Sequence, residues 1–228
     1  MSIFTCKPDG ESIVSRCANG IIVLRNIISD QIVKECRDFI DKYSNEVRDY
    51  DSINNVKARY VVLESLDNED AIKMKKDISQ VLLNIKHELK KYICTSFVSC
   101  EAIELRKIYG PTRIHCDGIT GGEQYAIGEY DDDDGTQNFA FRKHNFRVFS
   151  LIIALNNDYE GGAIRFPTQN TIIKLRAGEA LIFPPYWTHP HETDELNGTH
   201  RYTITTWLTG MTESVSYTHL TLPTILRV

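Results

Sequence analysis

At 228 residues and 26.1 kDa, with 42% hydrophobic residues, the chain is sized for one domain with a sizeable buried core. Its net charge of −5 and pI near 5.8 exclude a global positive field that would gather nucleic acid or an anionic membrane, although 26 Lys and Arg leave room for a local basic groove. Six scattered cysteines without a CxxC pair, no basic-then-apolar leader and no apolar run of the roughly 18 residues a bilayer requires predict a soluble, cytoplasmic protein.

Residues 20–28 (GIIVLRNII) predict a short buried strand. Ser29 and Asp30 then offer an N-cap, and Val33, Cys36, Ile40, Tyr43 and Val47 recur at helical spacing, so this helix should lie on a sheet with its polar face outward. ARYVVLE (58–64) is a second strand candidate. Asn68 can cap a further helix whose apolar stripe is Ala71, Met74, Ile78, Val81, Leu82, Ile85 and Leu89; its lysines form a solvated face.

From Phe97 onward the pattern changes to short strands divided by turn signals. AIELRKIY, RIHCD, RVFSLIIAL, AIRFP, TIIKLR, EALIFP and RYTITTWL are the candidates, with turns at Asn156-Asn157-Asp158, Gly161-Gly162, Ala177-Gly178 and Asn197-Gly198. Such spacing predicts a sandwich or jelly roll rather than a parallel sheet with crossover helices. Between Gly118 and Asn145 a loop-like stretch carries four consecutive aspartates, Asp131 to Asp134. It reads equally as a lid after the preceding strand or as a solvated acidic run.

Two fragments carry chemistry. RIHCDG contains His115 and Asp117, which strand alternation predicts to project together from one strand, while Cys116 turns into packing. The fragment HxD taken alone is weak. A third ligand would come from EALIFPPYWTHPHE, which supplies His189 and His191; Arg201 follows ten residues after His191, and that spacing favours His191 over His189. Two imidazoles and one carboxylate on a β scaffold hold a divalent metal by one face and leave neighbouring positions open. A guanidinium nearby can grip a carboxylate through two parallel hydrogen bonds and never loses its charge.

The segments IHCD, RVFSLIIALNNDYEGGAIRFP, RAGEALIFPPYWTHPHE and GTHRYTITTW occur in this order across roughly residues 105–209. Together they resemble the Fe(II)- and 2-oxoglutarate-dependent dioxygenases of the prolyl 4-hydroxylase-like branch. The resemblance implies an α+β, mainly β fold: a double-stranded β-helix (jelly roll) with N-terminal helices packed on the major sheet. It implies one domain over residues 1–210, helical over 1–96 and jelly roll over 97–210, followed by a tail, 211–228, that is non-native or disordered. The end of that tail, 216–228, resembles translated vector sequence.

By the same resemblance His115, Asp117 and His191 are the iron ligands, Arg201 pairs with the distal carboxylate of 2-oxoglutarate, and Ser150 and Tyr109 contribute to the cosubstrate pocket. Thr112 stands where the family often has an aromatic residue, and Trp207 is expected in the core. The implied cofactors are Fe(II), 2-oxoglutarate and O2, with ascorbate as reductant. The implied activity is hydroxylation of an unactivated C–H bond, on a peptide or protein (a peptidyl proline first) or on a small molecule or nucleobase; the charge balance disfavours a nucleic-acid partner and no membrane partner is expected. The alternative is a non-enzymatic, cupin-like jelly-roll module that binds a metal or carbohydrate and has no need of Arg201 beside the metal.

Overall fold

A computed structural model describes residues 14–16, 19–44, 48–50, 56–90, 99–118, 129–131, 137–139 and 145–211. Strands β1 (Val14–Arg16) and β2 (Ile22–Leu24) lead into helix α1 (Asp30–Tyr43). Strands β3 (Arg48–Tyr50) and β4 (Val56–Val62) and a 3-10 turn follow, then helix α2 (Glu69–Lys90). The remainder is strand: β5 (Ser99–Cys100), β6 (Glu104–Ile108), β7 (Thr112–His115), β8 (Glu129–Asp131), β9 (Gln137–Phe139), β10 (Asn145–Ala154), β11 (Ile164–Phe166), β12 (Thr171–Ile173), β13 (Ala180–Phe183), β14 (His191–Thr193) and β15 (Arg201–Met211).

Both helices begin where their caps predict. The Ser29 hydroxyl accepts from the Ile32 amide at 3.4 Å, and the Asn68 side chain accepts from the Ala71 amide at 2.8 Å, each satisfying a donor that the first helical turn leaves unpaired. The stripe from Ala71 to Leu89 is buried throughout. Val33, Cys36 and Ile40 are buried on α1 as their spacing requires, together with Phe39; Val47 lies outside the described residues. Neither helix is long and apolar enough to cross a membrane.

The strands form two antiparallel layers. The larger sheet runs β1-β2-β13-β10-β15-β6-β4-β3, with β5 also paired to β15; the smaller runs β12-β11-β14-β7. Leu105, Leu151, Ile153, Ile182 and Ile204 face outward from the large sheet into one cluster with α1 and α2. The alternate residues Ala154, Leu181 and Phe183 face inward and meet Ile164, Phe166 and Ile173 of the small sheet. The fold is therefore the jelly roll with helices on the major sheet. The acidic run 131–134 falls largely outside the described residues, as does the tail from 212 onward. Within the stretch read as one long loop, β8 and β9 pair as a small hairpin.

Candidate metal centre

Strand β14 joins β7 to the small sheet and sets His191 directly opposite His115. Their rings lie 4.4 Å apart, centroid to centroid. Asp117 completes the group: one carboxylate oxygen is 3.3 Å from His115 Nε2 and 3.8 Å from His191 Nε2. Among the described residues this is the only cluster of three or more potential metal ligands, with one ligand atom of each within 4.8 Å of the others.

Backbone carbonyls set which nitrogen each imidazole offers. His115 Nδ1 lies 2.8 Å from the Arg113 carbonyl and His191 Nδ1 lies 3.2 Å from the His189 carbonyl. A carbonyl can only accept, so Nδ1 carries a hydrogen, and each ring when neutral presents a bare Nε2 to the centre; His115 Nε2 bonds Asp117 only while that ring is protonated. Phe166 and Phe183 pack against the His191 ring, at 5.6 and 4.7 Å, and hold its orientation. His189 is committed elsewhere. Its Nε2 bonds the Asn19 carbonyl at 2.8 Å and its Nδ1 the Thr188 hydroxyl at 2.9 Å, so neither nitrogen is left for an ion.

The charges are arranged for a cation. Burial works to raise the Asp117 carboxyl, but the hydrogen bond from His115, the nearby His191 ring and the Ser150 hydroxyl hold it well below the usual carboxylate range. Burial works to lower His115, yet Asp117 outweighs it and the ring holds its proton above the ordinary 6.5. Burial lowers His191, with Asp117 opposing. A bound divalent ion would compete with protons for the same nitrogens.

Asp117 itself sits past the end of β7, which stops at His115. Strand alternation therefore does not place it. Arg147 Nη1 donates to the Asp117 carbonyl, and the Gly118 amide donates to the Pro185 carbonyl. A Cβ on Gly118 would lie 2.9 Å from that carbonyl and 3.1 Å from the Tyr186 ring, so the turn needs glycine.

Arg201 opens β15, opposite Ile108, and is 5% exposed. Asn156 brackets it, accepting from the Tyr202 amide and donating to the His200 carbonyl, both at 2.8 Å. The guanidinium extends into a cleft with Ile152, Ala154, Ile164, Leu175 and Thr203. There Nη1 donates to the Gly162 carbonyl at 2.9 Å, while Nε is buried without a partner. Burial pulls its pKa below the ordinary value and Arg106 adds to that, with Tyr159 opposing. A guanidinium buried without a carboxylate among the described residues lacks the anion its burial calls for. The donor chemistry of Arg201 suits a carboxylate-bearing cosubstrate, and the donor set of His115, Asp117 and His191 suits a divalent ion.

The remaining predicted positions fall as follows. Ser150 is buried beside the Asp117 carboxylate rather than in the Arg201 cleft, and its hydroxyl meets no hydrogen-bond criterion with any of the described residues. Tyr109 packs its ring on His200 at 4.5 Å and does not line that cleft. Thr112 bonds the Thr193 hydroxyl and ties β7 to β14. Trp207 is only partly buried on the inner face, with its indole N–H unpartnered and the Arg147 guanidinium 4.0 Å over its ring. Three groups near the site escape pattern reading: Arg147, its partner Glu101, and the Glu104–Arg106 ion pair. Arg147 stood in plain view at the head of RVFS, but nothing in local spacing says what it touches.

Residues 109–209 match the 2OG-Fe(II) oxygenase superfamily. Among solved structures, the chain is similar to the viral collagen prolyl hydroxylase of Paramecium bursaria Chlorella virus-1 in complex with 2OG (17% identity, TM-score 0.54, covering 85% of this chain and 97% of that one). It is similar to a Pseudomonas putida prolyl-4-hydroxylase (17%, 0.51, 85% and 94%). A third is the Trichoplax adhaerens prolyl hydroxylase solved with a hypoxia inducible factor peptide fragment (17%, 0.53, 84% and 84%). At this identity the likeness establishes the shared fold. No curated protein sequence matches the chain.

Proposed function

We propose, from the premise that residues 109–209 belong to the 2OG-Fe(II) oxygenase superfamily, that the chain hydroxylates an unactivated C–H bond, on a peptidyl proline in the first instance. His115, Asp117 and His191 would hold iron(II), and Arg201 would hold the far carboxylate of 2-oxoglutarate. The observation that carries this reading is the pairing of a His-Asp-His cluster with a buried guanidinium that has no carboxylate partner among the described residues. When bound, iron(II) and 2-oxoglutarate supply the oxidising chemistry: one O2 and one 2-oxoglutarate convert R–H to R–OH, with succinate and CO2 released.

The protein's own groups bind, orient and exclude water. The carbonyls of Arg113 and His189 keep both imidazoles turned with Nε2 inward, so neither ring rotates away when an ion arrives. His115, Asp117 and His191 would supply three ligands, fewer than iron(II) takes, so room would remain for the cosubstrate. Arg201 keeps its charge at every working pH and can present two parallel N–H donors to one carboxylate. Phe166 and Phe183 form a dry wall behind His191, which keeps bulk water from that side. No protein nucleophile or general base is required.

The peptide substrate is favoured by the solved relatives named as prolyl hydroxylases, one of them holding a peptide. The test is succinate formation with iron(II), 2-oxoglutarate and ascorbate, with and without proline-rich peptides. Peptide-dependent succinate that disappears in His191→Ala is the expected result. Succinate formation that persists in both His191→Ala and Arg201→Met would refute the proposed site, and turnover stimulated by small molecules alone would refute the peptide.

A further inference from the structure

The carboxylate ligand poses a physical problem. Asp117 lies outside any strand, yet it must be held as firmly as the two imidazoles, which sit in a paired ladder. We propose that Arg147 is a positioning residue for the metal centre: framed by Glu101 and Trp207, it fixes the Asp117 backbone and so aims the Asp117 carboxylate.

Four observations converge on this role. The Arg147 guanidinium uses its planar fork in two directions. Nε and Nη2 donate to the two oxygens of Glu101 at 2.7 and 2.6 Å, while Nη1 donates to the Asp117 carbonyl. The same plane lies 4.0 Å over the Trp207 ring, which limits its tilt. A closed ring of contacts then surrounds the ligand: Arg147 to Asp117, Gly118 to Pro185, and the Tyr186 hydroxyl back to the Arg147 carbonyl. Finally, β10 is bulged between Arg147 and Phe149.

The bulge is what makes the arrangement possible. Residues three apart in a regular strand face opposite ways. Here Arg147 pairs with Thr209, Phe149 with Leu208 and Ser150 with Trp207, so the extra residue, Val148, returns Arg147 to the face that carries Ser150. One strand thereby sends two groups to one ligand, Arg147 to the Asp117 carbonyl and Ser150 beside its carboxylate. Glu101 and Arg147 are both partly exposed, and an ion pair in that setting contributes little to stability. Its geometry is the asset. A lysine, with a point charge and no fork, could not grip Glu101 in parallel and reach the Asp117 carbonyl together.

The inference rests on the reading of His115, Asp117 and His191 as metal ligands, and the experiment separates the two. The metal-free full-length protein is titrated with cobalt(II) alone, recording the visible absorption bands and the dissociation constant, for wild type, His191→Ala, Arg147→Gln, Arg147→Lys and Glu101→Gln. Cobalt binding weakened about 10- to 100-fold in Arg147→Gln, with altered bands and no rescue by Arg147→Lys, is the expected outcome, Glu101→Gln falling at the lower end. If Arg147→Gln does not fold, Glu101→Gln decides by the same two readouts. Variants that melt lower yet bind cobalt with wild-type affinity and spectrum would show a merely structural role and overturn the inference while leaving the metal site standing. Wild type and His191→Ala binding alike would instead overturn the metal site beneath it.

Discussion

Replacing Arg201 by methionine should move stability in opposite directions with and without ligand. In the metal-free protein Arg201 is 5% exposed and its guanidinium makes one hydrogen bond among the described residues, to the Gly162 carbonyl. Exchanging a buried charged group for an apolar one of similar length gains about 1–4 kcal/mol, while losing that hydrogen bond costs about 1 kcal/mol. The net is roughly 0–3 kcal/mol in favour of the variant, which for a domain of this size raises Tm by roughly 0–12 °C. With manganese(II) and 2-oxoglutarate at about 100 times its dissociation constant, the wild type should gain about 2.7 kcal/mol, or roughly 5–11 °C. Removing one partner of the buried charge pair costs about 3–5 kcal/mol, a loss of roughly 100-fold or more in affinity. At the same 2-oxoglutarate concentration the variant should then shift by less than about 2 °C. Scanning fluorimetry of both proteins, with and without the two additions, reads all four numbers. A variant that melts several degrees lower without ligand and still shows the full 2-oxoglutarate shift would refute the reasoning.

His191→Ala should abolish manganese(II) binding by calorimetry, whereas His189→Ala should leave it intact and cost about 1–3 kcal/mol in urea denaturation, because it loses the bonds to Asn19 and Thr188 and the ring's contact with Phe166 but no metal ligand. The two metal-site rings should together give the metal-free protein a stability maximum near pH 6.5. Above that value the unfolded chain has released the proton that His115 still holds beside Asp117, so stability falls as pH rises through the raised folded pKa. Below it the unfolded chain takes a proton that buried His191 resists, so stability falls as pH drops. Urea midpoints across pH 5–9 should lose only the upper limb in His115→Gln; an unchanged profile would count against the assignment. Gly118→Ala should cost about 1–3 kcal/mol by denaturation, since its Cβ meets backbone at Pro185 that cannot swing aside.

Much of this protein is legible in local pattern because local physics sets it. The stripe on α2 and the caps at Ser29 and Asn68 were readable, since a helix buries one face and must satisfy its first donors. The strands β6, β7, β10, β11, β12, β13 and β15 fall inside the runs predicted for them, with β7 and β10 starting a residue or two early and β15 running three residues longer. Strand β14 was not predicted. Three residues after Pro190 carry too little periodicity, and only pairing with β7 and β11 makes them a strand.

Which residues could bind a metal and an anion was written in the amino-acid order: HxD, a distant histidine and an arginine in a strand. Where those side chains meet was not. The choice between His189 and His191 turns on which one faces β7, and the hold on Asp117 turns on a bulge that rotates Arg147 into reach. Alternation along a strand is set by the backbone of that strand alone. A bulge, a strand end and a pairing partner are set by what lies across the sheet, and only the folded chain brings those together.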